Sequence, residues 1–235
     1  MKVYYDFHIH SCLSPCGDED MTPNNIVNMS LIKGLNVIAL TDHNTMKNCP
    51  AALKVAEEAG LLVIPGIEIQ TREDVHMVTL FPDLEAAETM EKLLDEHRLP
   101  LPHKPEKFGH QMILNDQDEL VEEYKITLMG AVDIGVDEVI KRVHALGGVV
   151  FPAHINKQAN SVISNLGFIP PDWEIGAVEV FKAKENGELV TQYEKNYHVL
   201  INSDAHYIMD ISEAENYIEL EVLSLEEIFR YLRKR

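Results

Sequence analysis

Short apolar runs alternate with amphipathic helical stretches along most of the chain, and that alternation constrains the fold more than any other feature. The candidate strands are Val3 to Ile9, Asn36 to Leu40, Leu61 to Pro65, His76 to Phe81, Val149 to Ala153, Ala177 to Phe181 and Val199 to Asn202. Between most of them lie segments with helix punctuation. Thr22-Pro23 reads as an N-cap followed by a first-turn proline, with Gly34 as the stop, and a second helix runs from Pro50 to Gly60. Val136 to Leu146 ends at Gly147-Gly148, and Ser224 caps a last helix running into the basic stretch Arg230 to Arg235. Strands that alternate with helices predict a mostly parallel α/β sheet or barrel rather than a sandwich. Seven such strands favour a closed or nearly closed barrel. Residues 83–130 break the rhythm with a charged helix (Leu84 to His97), a proline-rich stretch (Pro100, Pro102, Pro105) and a hairpin across Gln111 to Met129. They read as an insertion on a single domain spanning 1–235.

Composition narrows the function. With 46% hydrophobic residues in 235, the chain can bury a sizeable core. No apolar leader opens it and no run approaches the roughly 18 apolar residues of a membrane helix, so no membrane partner is expected. Three cysteines make no disulfide framework, and the expected compartment is a reducing cytoplasm. Cys12 and Cys16 lack the second cysteine pair that a structural zinc site would use. Acidic residues outnumber basic ones 39 to 20, for a net charge of −19. That balance argues against a broad electrostatic grip on phosphate backbones, and no long nucleic acid is expected as a partner. It leaves open an anionic substrate held through bound cations. Eleven histidines in so acidic a chain point the same way.

Placed on the strands, the histidines and acids fall at strand ends. The first ends Asp6-Phe7-His8-Ile9-His10, where residues two apart share a face, so Asp6, His8 and His10 are expected to project together. The second ends Thr41-Asp42-His43, the third is followed by Gly66-Ile67-Glu68, the fifth ends Pro152-Ala153-His154 and the last ends Ser203-Asp204-Ala205-His206. In parallel α/β folds those C-terminal ends converge on one face. His76, at a strand start, is the exception. Imidazole and carboxylate together are ligands of zinc, manganese and iron, so the grouping reads as a metal site by its chemistry.

The ordered set Asp6-Phe7-His8-Ile9-His10-Ser11, Thr41-Asp42-His43, Gly66-Ile67-Glu68, His76, Pro152-Ala153-His154 and Ser203-Asp204-Ala205-His206 resembles the PHP (polymerase and histidinol phosphatase) family of metal-dependent phosphoesterases. The resemblance implies a distorted (β/α)7 TIM-like barrel with two or three divalent ions (Zn, Mn or Fe) at its mouth. It implies that His8, His10, Glu68 and Asp204 hold one ion, with Glu68 bridging to a second held by His76 and His154. A third would sit on Asp18, His43 and His206. The loop from Cys12 to Met21 is longer than the family's, so Glu19 and Asp20 stand as alternatives to Asp18.

Three divalent cations against the carboxylates of Glu68, Asp18 and Asp204 leave the site net positive, which suits a phosphate dianion and a hydroxide. The expected reaction is hydrolysis of a small phosphorylated metabolite or nucleotide by attack of a metal-bridging hydroxide, with no protein nucleophile. Alternatives are an exonuclease acting on short oligonucleotides and a non-catalytic metal-binding PHP module. A metal-dependent amidohydrolase would need a bridging lysine that no mid-barrel strand carries. Asp6 is read either as holding a ligand imidazole or as a buried hydrogen-bonding group, and Asp42 as a helix cap or as the group orienting His43. Arg72 and Lys157 are placed to reach phosphate, or are ordinary surface cations. The oligomeric state is not fixed.

Overall fold

The computed structural model describes residues 1–233; Lys234 and Arg235, the end of the expected basic tail, lie outside the described residues. The strands are β1 (Lys2–Ile9), β2 (Val37–Leu40), β3 (Leu62–Gln70), β4 (His76–Leu80), β5 (Met112–Leu114), β6 (Leu120–Glu123), β7 (Val149–Pro152), β8 (Ala177–Glu179), β9 (His198–Leu200) and β10 (Tyr217–Glu219). The helices are α1 (Pro23–Ile32), α2 (Cys49–Ala59), α3 (Leu84–His97), α4 (Pro105–Phe108), α5 (Val136–Ala145), α6 (Val162–Leu166), α7 (Gly187–Tyr193) and α8 (Leu225–Arg233). The expected punctuation is in use. Thr22 accepts from Asn25 N at α1, Gly60 ends α2 with a φ of 77°, and Ser224 accepts from Glu227 N at α8.

One curled sheet runs β10-β1-β2-β3-β4-β7, with β8 and β9 as a separate parallel pair. β1, β2 and β3 are parallel neighbours joined by α1 and α2, as the alternation predicts. β4 departs from it. The link 71–75 is too short for a parallel crossover, so β4 folds back on β3 as an antiparallel hairpin. That pairing also carries β3 on to Gln70, so Glu68 lies inside the strand and not after it. β7 is antiparallel to β4 and therefore parallel to β3. The β8–β9 pair fills the space between β7 and β1: Ile155 N donates to Glu179 O at 2.9 Å, and a single bridge joins Ile9 to Ala205. The architecture is mixed α/β with a curled, barrel-like sheet, consistent with a distorted (β/α)7 barrel.

Strand alternation sorts the apolar residues into two layers. Tyr5, Phe7, Val37, Ala39, Ile64, Val78 and Phe151 meet inside the curl with Ile228 and Phe229 of α8. Ile38, Leu40, Val63, Ile67 and Ile69 face outward onto helix residues such as Ile26 and Ala52. Each Val, Leu, Ile or Phe side chain so buried contributes about 1.5–3 kcal/mol. Segment 83–130 is fastened to this body. Asp118 accepts from Asn24 N, Asn24 Nδ2 and Thr22 Oγ1, and Asn48 brackets the first hairpin strand through Met112 O and Leu114 N. The hairpin β5–β6 is thereby held over the N-terminal ends of α1 and α2, at the end of the sheet where β1 and β2 deliver their histidines. Among the described residues no helix is long and apolar enough to cross a membrane.

Candidate metal centre

A bulge between Asp6 and Ile9 shifts the register of β1 against β2. Tyr5 and Phe7 point inward before it, Ile9 points outward after it, and His8 and His10 therefore both point inward at the mouth. The bulge removes Asp6 from their face, correcting the simple two-residue alternation. Asp6 instead accepts from Ser203 N at 3.1 Å and Ser212 N at 3.0 Å, tying the 203–212 loop to β1, and burial raises its carboxyl above the usual range. The β4 hairpin accounts for His76: an antiparallel strand begins where its neighbour ends, and His76 pairs with Gln70. His154 and Asp204 have φ of 26° and 52°, left-handed values that turn them away from the paths of β7 and β9. Such strain in non-glycine residues is stored where side-chain placement matters.

These devices bring five imidazoles onto one buried carboxylate. Glu68 Oε1 lies 2.8 Å from His76 Nδ1, 3.2 Å from His8 Nε2 and 3.3 Å from His154 Nε2. Its Oε2 lies 2.8 Å from His43 Nδ1 and 3.4 Å from His10 Nε2. Asp204 Oδ1 is 3.3 Å from Nε2 of both His8 and His10. Three overlapping groups present ligand atoms within 4.8 Å of one another: His8, His10, Glu68 and Asp204; His43, Glu68 and His76; and His10, His43 and His206. Two details fit this set to cations. His8 Nε2 faces His10 Nε2 at 3.2 Å, a contact that cannot satisfy two neutral acceptors, and Glu68 Oε2 and His76 Nε2 are buried without a hydrogen-bond partner. Orphaned buried donors and acceptors are costly unless something meets them.

The electrostatics agree. Burial opposes the charge on Glu68, yet His76, His8 and His43 hold its carboxyl well below the usual range; His8 and His10 do the same for buried Asp204. Burial likewise opposes the imidazolium forms, but Glu179, Glu68 and Asp204 raise His8 well above its ordinary value. Asp204 and Glu68 bring His10 to about 9 against the same burial penalty, and Glu68 brings His43 to about 9. His206 goes the other way, to about 3, through burial and the neighbouring charge of His10. Burial lowers His76 as well, so it is His8, His10 and His43 that hold protons where cations would sit.

The remaining expected residues are placed as follows. Asp42 accepts from Ser11 N, Ser11 Oγ and Ser14 Oγ, and Ser14 Oγ meets His10 Nδ1 at 2.9 Å, so Asp42 braces His10 rather than His43. Asp18 joins the mouth by its main chain, with its N donating to His206 O at 2.8 Å, and its carboxylate is in none of the three groups. Arg72 is exposed and engaged by the Asp133 carboxylate and carbonyl. Lys157 Nζ donates to Asp204 Oδ2 and sits 4.5 Å from the Phe181 ring centre. Cys12 is buried, its thiol pushed up to about 12 by burial. Sequence reasoning missed Glu179. Fully buried on β8, it meets His8 Nδ1 at 3.0 and 3.2 Å and accepts from His154 N at 2.9 Å and Asn202 Nδ2 at 2.7 Å. Its signal was an acid two residues from Ala177 on the inward face of an otherwise apolar strand.

Among known proteins, the chain is similar to a 5′-3′ exoribonuclease of Haemophilus influenzae, 34% identical over 118 residues, 46% of this chain and 42% of the relative. The lesion-specific endonuclease PfuEndoQ from Pyrococcus furiosus shares the fold with a TM-score of 0.73 at 19% identity, over 99% of this chain and 56% of that one. Endonuclease Q in complex with a 27-mer duplex, its abasic lesion at the active site, matches with a TM-score of 0.67 at 18% identity, over 98% of this chain and 56% of that one. The chain thus spans about half the length of these relatives. The expectation that long nucleic acid is excluded does not stand, since proteins of this fold and likeness act on it. Net charge sums the whole exterior, whereas attraction for phosphate is set locally, where buried carboxylates and imidazoles gather cations. A PHP domain model matches residues 6–165, and the chain belongs to the PHP family of metal-dependent phosphoester hydrolases.

Proposed function

We propose that this protein hydrolyses phosphoester bonds of nucleic acid strands at the mouth formed by β1, β3, β4 and the ends of β7 and β9, taking them one end at a time as an exonuclease does. The observation that carries the reading is the convergence of five imidazoles on the buried carboxylate of Glu68, and the exoribonuclease relative supports the substrate class. His8, His10, Glu68 and Asp204 would hold one divalent ion, Glu68, His43, His76 and His154 a second, and His10, His43 and His206, with Asp18 or a neighbouring acid, a third. Zn, Mn and Fe all suit such ligands. Bound cations would supply the positive charge that polarises a phosphoryl group and acidifies water.

The chain's own residues do the positioning. Glu179 and the Asp42–Ser14 pair fix the outer nitrogens of His8 and His10, leaving both Nε2 atoms facing the centre. Lys157, on Asp204 at the rim, can meet a non-bridging phosphate oxygen. The test is hydrolysis of a 5′-phosphorylated oligoribonucleotide and of an aryl phosphate by protein loaded with Zn, Mn or Fe, with elemental analysis alongside. Both activities should fall at least about a hundredfold in His10→Ala and Asp204→Ala, as expected when metal ligands are removed. A protein that retains metal and cleaves neither substrate is a binding module, and the proposal fails.

A further inference from the structure

Segment 99–130 carries a hollow that the metal site does not use. It is lined by Leu101, Pro102, His103, Lys104, Phe108 and Met129, with a volume of about 410 Å³, within the range of small-molecule sites. Its walls are unusually apolar for a surface: Leu101 is 53% exposed, Phe108 49% and Met129 46%. The frame around it is cross-linked by hydrogen bonds. Thr127 N donates to Leu101 O, His103 N donates to Lys125 O, and the buried Gln111 side chain donates to Tyr124 O and Ile126 O and accepts from Leu128 N. Prolines 100, 102 and 105 restrict the facing strand of chain.

Two links place the hollow on the rim of the metal mouth. Asn44, next to His43, donates through Nδ2 to Leu128 O at 2.9 Å and Gly130 O at 3.2 Å, on either side of Met129. Gly109, next to Phe108, packs so close to Pro15 that a Cβ there would lie 2.5 Å from Pro15 O. Pro15 follows Ser14, the residue bonded to His10. The 97–110 stretch on this rim is basic within an acidic chain. Lys104 and Lys107 are exposed and, among the described residues, in no ion pair, with Glu106 the one acid in the 97–110 stretch. The aromatic wall is doubled by His103, whose ring centre lies 6.3 Å from that of Phe108 and whose Nε2 donates to Gly109 O.

An exposed ring in an apolar hollow, flanked by unpaired lysines beside a phosphoester site, has the elements of a single-strand platform: a base stacks on the ring and the cations track the backbone. We infer that the hollow between Leu101–Phe108 and Met129 binds a nucleobase of a single-stranded nucleic acid whose phosphate lies in the metal mouth, with Lys104 and Lys107 on the flanking phosphates. This site rests on the nuclease reading, and its test separates the two.

Fluorescence anisotropy of a 3′-fluorescein, 5′-phosphorylated hexaadenylate with phosphorothioate linkages reads strand binding without turnover, and aryl phosphate hydrolysis serves as a reference that offers no base. Phe108→Ala should weaken strand binding about tenfold, and Lys104→Glu with Lys107→Glu at least as much, with a flatter dependence on salt. If the wild type binds the strand through Phe108 but hydrolyses nothing, the site stands and the nuclease reading fails. Strand affinity unchanged in both variants overturns the site, as does a loss shared equally by strand binding and aryl phosphate hydrolysis. Sedimentation showing that Phe108→Ala disrupts self-association while strand affinity holds would assign the hollow to contact between copies, and also overturns it.

Discussion

Glu179→Gln probes how the mouth is built without touching a predicted metal ligand. Each Glu179 oxygen already receives a fixed donor: Oε1 from His154 N at 2.9 Å and Oε2 from Asn202 Nδ2 at 2.7 Å. Asn202 cannot flip to relieve this, because its Oδ1 accepts from Phe7 N at 2.9 Å. A glutamine must therefore turn its NH2 group onto one of those donors, and it also withdraws the negative charge that meets His8 Nδ1. Leaving a buried donor unpaired costs about 1–3 kcal/mol, which should appear as a lower Tm for the metal-free protein. Loss of the carboxylate behind a ligand imidazole typically costs 10–100-fold in metal affinity, about 1.4–2.8 kcal/mol. Competition against a chromophoric chelator, well below Tm, measures the second effect separately from the first. Metal affinity within about twofold of wild type, in a variant that remains folded, would refute the claim that Glu179 orients His8 for metal.

Other expectations follow from the same geometry. With His10 and His43 raised to about 9 by their carboxylates, metal binding at pH 7 must expel protons, so titration calorimetry in buffers of different ionisation heat should show net proton release; none at pH 7 would contradict the assignment. In the metal-free protein these raised values contribute stability that is complete below the unfolded value of about 6.5 and is lost as pH rises through about 9. Denaturation of chelator-treated protein at pH 6.5 and 9.5 should show the decline. His206, held near 3, contributes in the opposite sense, losing stability as pH falls from 6.5 toward 3. Gly66→Ala should lower Tm through overpacking of about 1–3 kcal/mol, because a Cβ there would lie 2.7 Å from Thr79 O and 2.8 Å from Thr41 Cγ2. An unchanged Tm would mean that the β3–β4 hairpin yields more readily than its geometry implies.

Alternation and helix punctuation are local properties, so β1, β2, β3 and the limits of α1 and α2 could be read from single segments. What the sequence hid was set by pairing. The reversal of β4 follows from the short link 71–75, and only that reversal puts His76 among the ligands. The bulge in β1 depends on register against β2, so strict alternation grouped Asp6 with His8 and His10 when it faces another loop. Asp42 is the sequence neighbour of His43, while its hydrogen-bond partners, Ser11 and Ser14, come from a different loop. β10 is three residues long and finds its place only against β1. Glu179 sits in an apolar strand where one acid carries no motif, and its role appears only once β8, packed beside β7, brings it against His8. The −19 charge misled because it is a sum, while the chemistry depends on where a few of those acids are buried.

The seam between β1 and the β8–β9 pair carries a mechanical consequence. Along it the curl is joined by one bridge at Ile9 and by side-chain contacts, Phe7 to Asn202, Asp6 to Ser203 and His8 to Glu179, rather than by a ladder. A cation shared by His8, His10 and Asp204 would span that seam and clasp positions nearly two hundred residues apart in the chain. Closing so long a loop is entropically costly, and a multivalent ion is well suited to offset it. Chelation should then do more than halt chemistry: it should let the ring spring open into an arc, with amide exchange quickening along 198–206 while β2 and β3 stay protected.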